Sequence, residues 1–105
     1  MSTTQERWSD TNIIVMRNVV TSGIVRAVTV NTAKETAVLK LSTPWQEELL
    51  EVLIFRRTEA SLYERVHKAH SEWFGRSVVV RGDLNQCNYA GNTRLQIIAR
   101  NMLDA

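Results

Sequence analysis

Only one stretch of the sequence has the apolar periodicity of a helix, and its position constrains the fold more than any other feature. The apolar stripe recurs at spacings of four, three and four residues, in the order Leu62, Val66, Ala69 and Trp73. Thr58 and the capping box Ser61–Glu64 predict where this helix begins, and Gly75 predicts where it ends. The segments on both sides have the composition of β-strands, so we predict an all-β fold with a single helix.

Three strands are predicted before the helix. Asn12–Val20 and Ile24–Val30 are rich in β-branched residues and are separated at Ser22-Gly23, which predicts one long first strand that bends there and belongs to both halves of a barrel. Thr36–Ser42 alternates between apolar and polar residues, as a half-buried strand does. Glu47–Arg57 is ambiguous, because its Val-Leu-Ile-Phe centre favours a strand while its glutamate-rich start could be helical.

Two more strands are predicted after the helix, Ser77–Asn85 and Thr93–Met102, with a turn at Asn88–Asn92 between them. The order is therefore β-β-β-α-β-β. One helix between strands 3 and 4 of a five-stranded Greek-key barrel is the arrangement of the OB-fold. At 105 residues the chain forms one domain, which we assign to residues 12–105, preceded by a flexible polar arm at residues 1–11.

Several classes of protein are excluded by composition. No apolar run approaches the roughly 18 residues of a membrane span and no signal segment opens the chain, so we expect a cytoplasmic protein with no membrane partner. The single Cys87 allows no internal disulfide, and His67 and His70 with Glu64 are expected to be surface residues, not metal ligands. No catalytic triad, paired carboxylates or phosphate-binding loop is present, so we predict neither an enzyme nor a cofactor.

Three segments carry a resemblance to a known family: Leu62–Val66, Trp73–Leu84 and Ala90–Leu95. They contain a short helix that ends at a glycine, a Val-x-Val-x-Gly-x-Leu strand, and a Gly-Asn-Thr-Arg turn that leads into the last strand. With these motifs the sequence resembles the bacterial-type single-stranded-DNA-binding protein family. It differs in having Arg17 or Asn18 where the family has a glycine, and in ending without the acidic tail that recruits other proteins.

The resemblance implies an OB-fold that takes part in DNA replication, repair or recombination, located at the nucleoid if the protein is bacterial. One small barrel offers limited contact to a strand, so we also expect a homo-oligomer, either a dimer or a tetramer. Proteins of replication or recombination are the expected further partners.

Positive charge is concentrated on the predicted strands. Residues 17–57 carry six basic and four acidic side chains and residues 75–105 carry four and two, whereas the arm and the helix are each net negative. Binding a single strand without sequence preference requires cations for phosphates and flat side chains for bases. The predicted phosphate contacts are Lys40, Arg56, Arg81, Arg94 and Arg100. The predicted stacking residues are Trp45, Phe55 and Tyr89.

The sequence thus predicts a non-catalytic protein that binds single-stranded DNA, or RNA, through the open sheet face and loops of an OB-fold. For Phe55 burial in the core is the favoured alternative, and for Trp45 a subunit contact or local packing is an equally favoured one. The alternative function is an adaptor, an OB-fold whose face binds a protein in a nucleoprotein complex. The modest net charge of +2 and the few aromatic residues on the middle strands are compatible with it.

Overall fold

Five strands close into a barrel in the computed structural model, which describes residues 12–89 and 91–105. The elements are β1 (Asn12–Asn31), β2 (Thr36–Thr43), β3 (Gln46–Phe55), α1 (Ala60–Lys68), α2 (His70–Trp73), β4 (Ser77–Tyr89) and β5 (Asn92–Asp104). The strand order is β1-β2-β3-β5-β4, and β4 returns to pair with β1. Four of the five pairings are antiparallel and β3–β5 is parallel. The predicted OB-fold is confirmed, while the predicted arm at residues 1–11 lies outside the described residues.

The first strand is a continuous strand of 20 residues that belongs to both halves of the barrel, as predicted. Its first half pairs with β4 and its second half with β2. No register shift falls at Ser22-Gly23, where a bend or bulge was predicted; the shifts are at Val15, Arg17–Asn18 and Arg26. Gly23 is still required, since a Cβ there would lie 2.7 Å from the carbonyl oxygen of Ser42 on β2.

Alternate residues of the strands form the core. The largest fully buried side chains are Val25, Leu39, Leu41, Leu50, Val52, Ile54, Val66, Val78, Val80, Ile97 and Met102. The alternation predicted for β2 and β5 is therefore confirmed in register, although Leu95 is only half-buried. The ambiguous segment is a strand because Leu50, Val52 and Ile54 bury at a period of two, which a helix would not allow.

The predicted helix is two helices, and its start differs from the prediction. Ala69, with φ −130° and ψ 41°, separates α1 from α2. The N-cap residue is Glu59, with no side-chain capping hydrogen bond, and Thr58 instead donates to the carbonyl of Phe55 over 3.5 Å. The capping box is wrong because Ser61 already lies inside α1.

The helices close one end of the barrel with the predicted apolar stripe. Leu62, Val66 and Trp73 are buried, and Tyr63, which the spacing did not predict, is buried with them. Gly75 has a φ of +85°, the left-handed conformation expected of a glycine that ends a helix.

Candidate nucleic-acid interface

A cleft of about 590 Å³ opens on the outer surface between the start of β3 and the β4–β5 hairpin. It forms because β3 and β5 run parallel but pair only at Glu51–Leu53 with Gln96–Ile98, so their first residues are free to diverge. Lys40 and Arg94, two of the cations predicted to bind phosphate, both line this cleft. The fold thus brings together residues that are far apart in the sequence.

The cleft also contains two acidic side chains, Glu48 and Glu51, of which Glu51 contacts Arg94. Its carboxylate accepts a hydrogen bond of 2.8 Å from Gln96 and lies 3.7 Å from Arg94 Nη1. Lys40 is directly opposite Glu51 in the β2–β3 register, so one half-buried carboxylate faces two cations. The guanidinium of Arg94 remains 66% exposed and open to a phosphate.

Asp83 anchors a second group of cations on the outer face of β4. Its side chain is only 7% exposed, and it accepts hydrogen bonds of 3.1 Å from both Arg17 and Arg100 and one of 3.3 Å from the backbone N of Asn18. Burial alone would raise the pKa of Asp83, but the hydrogen bonds from Arg100 and Asn18 and the charge of Arg17 outweigh it and hold the pKa below its ordinary value. The carboxylate therefore stays ionised and orients two exposed guanidiniums.

β-Bulges position these arginines. Arg17 and Asn18 together lie opposite the single residue Asp83, and Arg100 is the extra residue between the pairs Gly82↔Ala99 and Arg81↔Asn101. A third bulge contains Arg26, opposite the segment of β2 that contains Lys40. Bulges redirect side chains and are common next to functional sites. Sequence analysis missed Arg17, Arg26 and Asp83 as site residues, and the glycine replaced at Arg17 or Asn18 was the only signal of an unusual backbone there.

Apolar residues lie between the two groups of cations. Ile98 separates Arg94 from Arg100 along β5, and it has Leu53 as its partner on β3, which in turn has Val38 on β2. All three apolar side chains are half-buried on the outer face. Arg94 and Arg100 are six residues apart, about 20 Å along a strand at roughly 3.3 Å per residue. The outer face therefore has an apolar floor between charged ends, a feature that the sequence analysis also missed.

Two of the predicted cations, Arg56 and Arg81, neither line the cleft nor hydrogen-bond to Asp83. Arg56 forms ion pairs with Glu35 and Glu64, and the hydrogen bond to Glu35 raises the pKa of Arg56 above its ordinary value. It thereby holds the β1–β2 turn against the end of β3. Arg81 is exposed on β4 and has no ion pair within the described part of the chain.

The predicted stacking residues are dispersed. Trp45 lies in the β2–β3 turn, is 47% exposed, and donates a hydrogen bond of 2.8 Å from Nε1 to the hydroxyl of Thr21. Phe55 is half-buried at the end of β3, whereas its neighbour Ile54 is fully buried, so the alternation places Phe55 on the outer face. Tyr89 ends β4, and its side chain lies outside the described residues.

Within residues 12–89 and 91–105, no cluster of three His, Cys, Asp or Glu side chains has an arrangement suited to a metal ion. Neither helix described here has the length and apolarity needed to cross a membrane.

Comparison with known proteins identifies the fold. No family model and no curated protein matches the sequence. OBody NL8 bound to hen egg-white lysozyme superposes with a TM-score of 0.66 at 16% identity, over 84% of this chain and 93% of that chain. A small single-stranded DNA-binding protein from Streptomyces coelicolor superposes with a TM-score of 0.58 at 15% identity, over 86% of this chain and 94% of that chain. The dimeric N-terminal domain of PriB from Thermoanaerobacter tencongensis superposes with a TM-score of 0.47 at 14% identity, over 91% of this chain and 97% of that chain. The likenesses to OBody NL8 and to the Streptomyces coelicolor protein concern the fold alone.

Proposed function

We propose that this chain binds single-stranded DNA, without catalysis, along the outer face between the Lys40–Arg94 cleft and the Asp83 cluster. The observation that carries the proposal is the arrangement of exposed guanidiniums, oriented by poorly exposed carboxylates, at both ends of an apolar floor. Phosphates would bind the cations while bases lie on Val38, Leu53 and Ile98. The neighbour from Streptomyces coelicolor, a single-stranded DNA-binding protein with this fold, supports the same proposal.

Binding of this kind does not depend on sequence, because phosphates and the faces of bases are common to every nucleotide. RNA would satisfy the same contacts, so the preference for DNA rests on the family resemblance. A protein with this activity would act in the cytoplasm on strands exposed during replication, repair or recombination.

The salt dependence of oligonucleotide binding tests the proposal. Each phosphate contact to a single strand contributes about 0.7 to the slope of log K against log salt concentration. The double substitution Arg94→Ala/Arg100→Ala should therefore reduce the slope by about 1.4 and weaken binding of an oligo-dT strand at low salt. Binding is measured by fluorescence anisotropy of an end-labelled oligo-dT strand.

The matched control is Arg57→Ala/Lys68→Ala, which removes the same charge from exposed positions off this face and should leave the slope unchanged. A folded wild type that binds no strand at low salt would refute the proposal. That result would favour the adaptor function, for which OBody NL8 bound to lysozyme gives a precedent of protein binding on this fold.

We also propose that two copies associate through the first half of β1. There β1 pairs with β4 alone, so among the described residues its other edge has no partner strand before Ile24. The exposed apolar side chains of this segment are Ile13, Ile14, Val15, Met16 and Val20. A long apolar edge strand invites pairing with another strand. Antiparallel pairing with a second copy around a two-fold axis would cover both edges at once.

A further inference from the structure

A second basic surface follows the exposed side of α1, and it shares no lining residue with the Lys40–Arg94 cleft. One cavity of about 470 Å³ lies beside the first turns of α1, and another of about 420 Å³ lies between the end of α1 and the end of β5. Both are lined by Arg65 and Lys68, so they form one continuous groove, which we call the helix groove.

Helical spacing builds this groove. Ser61, Glu64, Arg65 and Lys68 are at positions i, i+3, i+4 and i+7, so they share one face of α1. The apolar residues of α1 are on the opposite face, buried in the barrel. The polar face is therefore exposed, and of the side chains lining the second cavity three are cations and one, Asp104, is an acid.

Contacts with Trp73 hold two of these cations in place. The guanidinium of Arg76 lies 4.8 Å and that of Arg65 lies 5.9 Å from the centroid of the Trp73 ring. Arg65 also donates a hydrogen bond of 2.7 Å to the carbonyl of Met102, and Arg76 is 3.6 Å from Asp104. Cations stacked on an indole lose little side-chain entropy when they bind an anion, because they are already ordered. Lys68 has no ion pair within the described residues.

Trp73 contributes a second observation. Its Nε1 is buried and has no hydrogen-bond acceptor in the described structure. Trp73 also lines the second cavity, so its indole would report on a ligand that binds there.

The surroundings of the groove favour a peptide over a nucleic acid. Trp73 is the only aromatic residue among the described residues that line it, and its ring is buried beneath two guanidiniums, so it is not available to stack on a base. Leu103, which is 55% exposed, and Ala69 give the second cavity an apolar side. An apolar contact surrounded by arginines is typical of protein interfaces.

We propose that the helix groove binds an extended acidic segment of a partner protein. Its carboxylates would pair with Arg65, Lys68 and Arg76, and one apolar side chain would pack against Leu103. The proposal is independent of strand binding on the outer face. It would make the chain a bridge between a nucleic acid and an acidic protein.

The test measures fluorescence anisotropy of a short labelled peptide made of Asp and Ser with one Leu, with the full chain as titrant. The same peptide with Asn in place of Asp should not bind. Lys68→Glu reverses an exposed charge of the groove and should weaken binding of the acidic peptide about tenfold, which corresponds to roughly 1.4 kcal/mol of binding free energy. The matched control Lys34→Glu, in the exposed β1–β2 turn, should change binding less than twofold.

An NMR titration supplies a second readout. The indole signals of Trp8 and Trp45 are identified by substitution with Phe, and the remaining signal belongs to Trp73. Only the Trp73 signal should shift with the acidic peptide. Equal binding of the Asn peptide, or no binding of either peptide, would overturn the proposal. A third result would also overturn it: oligo-dT displaces the acidic peptide, and Lys68→Glu weakens the binding of oligo-dT. The groove would then be part of the nucleic-acid path.

Discussion

Asn18 allows the conformational cost of the β1 bulge to be measured. Its φ of +57° lies in the left-handed region, where a Cβ costs roughly 1–2 kcal/mol and a glycine costs nothing. The hydrogen bond from Asn18 to Asp83 uses the backbone N, so it survives any substitution except proline. Substitutions at this position therefore change the backbone preference without removing the contact that the bulge makes.

The expected magnitude follows from two opposing effects. Relative to Asn18→Gly, the variant Asn18→Ala has roughly 1–2 kcal/mol more strain in the folded state. It also loses less entropy on folding, which returns about 0.5–1 kcal/mol. We therefore expect Asn18→Gly to be more stable than Asn18→Ala by up to about 1.5 kcal/mol. Asn18→Val should be less stable than both, since β-branched residues are the least tolerant of positive φ.

Urea denaturation measures these free energies of unfolding, provided that the dependence on urea concentration is the same for each variant. Thr29 is the matched control, because it is exposed on the same strand without a positive φ. There the order should reverse, with Thr29→Ala more stable than Thr29→Gly. The reasoning is refuted if alanine is at least as stable as glycine at position 18, as it should be at position 29.

Two further predictions concern the outer face. Val15→Lys places a charge on the unpaired edge of β1 and should abolish self-association, leaving a folded monomer in sedimentation equilibrium; a variant that still dimerises would show that the copies meet elsewhere. The lowered pKa of Asp83 means that its ionised form stabilises the fold fully above about 3.8 and loses this effect as the pH falls through the lower value of the folded state. The stability of the wild type should therefore approach that of Asp83→Asn below pH 3.8, as followed by urea midpoints; a difference independent of pH would contradict the reasoning.

The fold could be predicted largely from local patterns because burial leaves a period in the sequence. The alternation of β2 and β5 identified the residues that the barrel buries, and the single apolar stripe located the helices. The break at Ala69 could not be predicted in this way, since the stripe continues across it to Trp73. Bulges were also missed, because a register shift depends on the partner strand as well as on the strand that contains it.

The candidate site was predictable only in part for the same reason. Alternation on β5 placed Arg94 and Arg100 on the outer face, and Lys40 followed from the pattern of β2. Which carboxylate each cation would meet was not predictable, because Arg17 and Asp83 are 66 residues apart and meet only when β1 closes against β4. Arg56 was predicted to bind phosphate for the same reason, since nothing in its local sequence indicated that Glu35 would form an ion pair with it.

The bulges connect these observations to the proposed function. A regular strand directs every second side chain outward, so a barrel of this size offers few outward positions on each strand. Three bulges contain an arginine, and Arg17, Arg26 and Arg100 are all exposed there, while the core positions of the same strands stay apolar. Asp83 then fixes two of them, at the cost of one buried charge that its hydrogen bonds compensate. The positive surface of this barrel thus combines cations of regular strand positions, Lys40 and Arg94, with arginines at bulges, and the apolar core is the same beneath both.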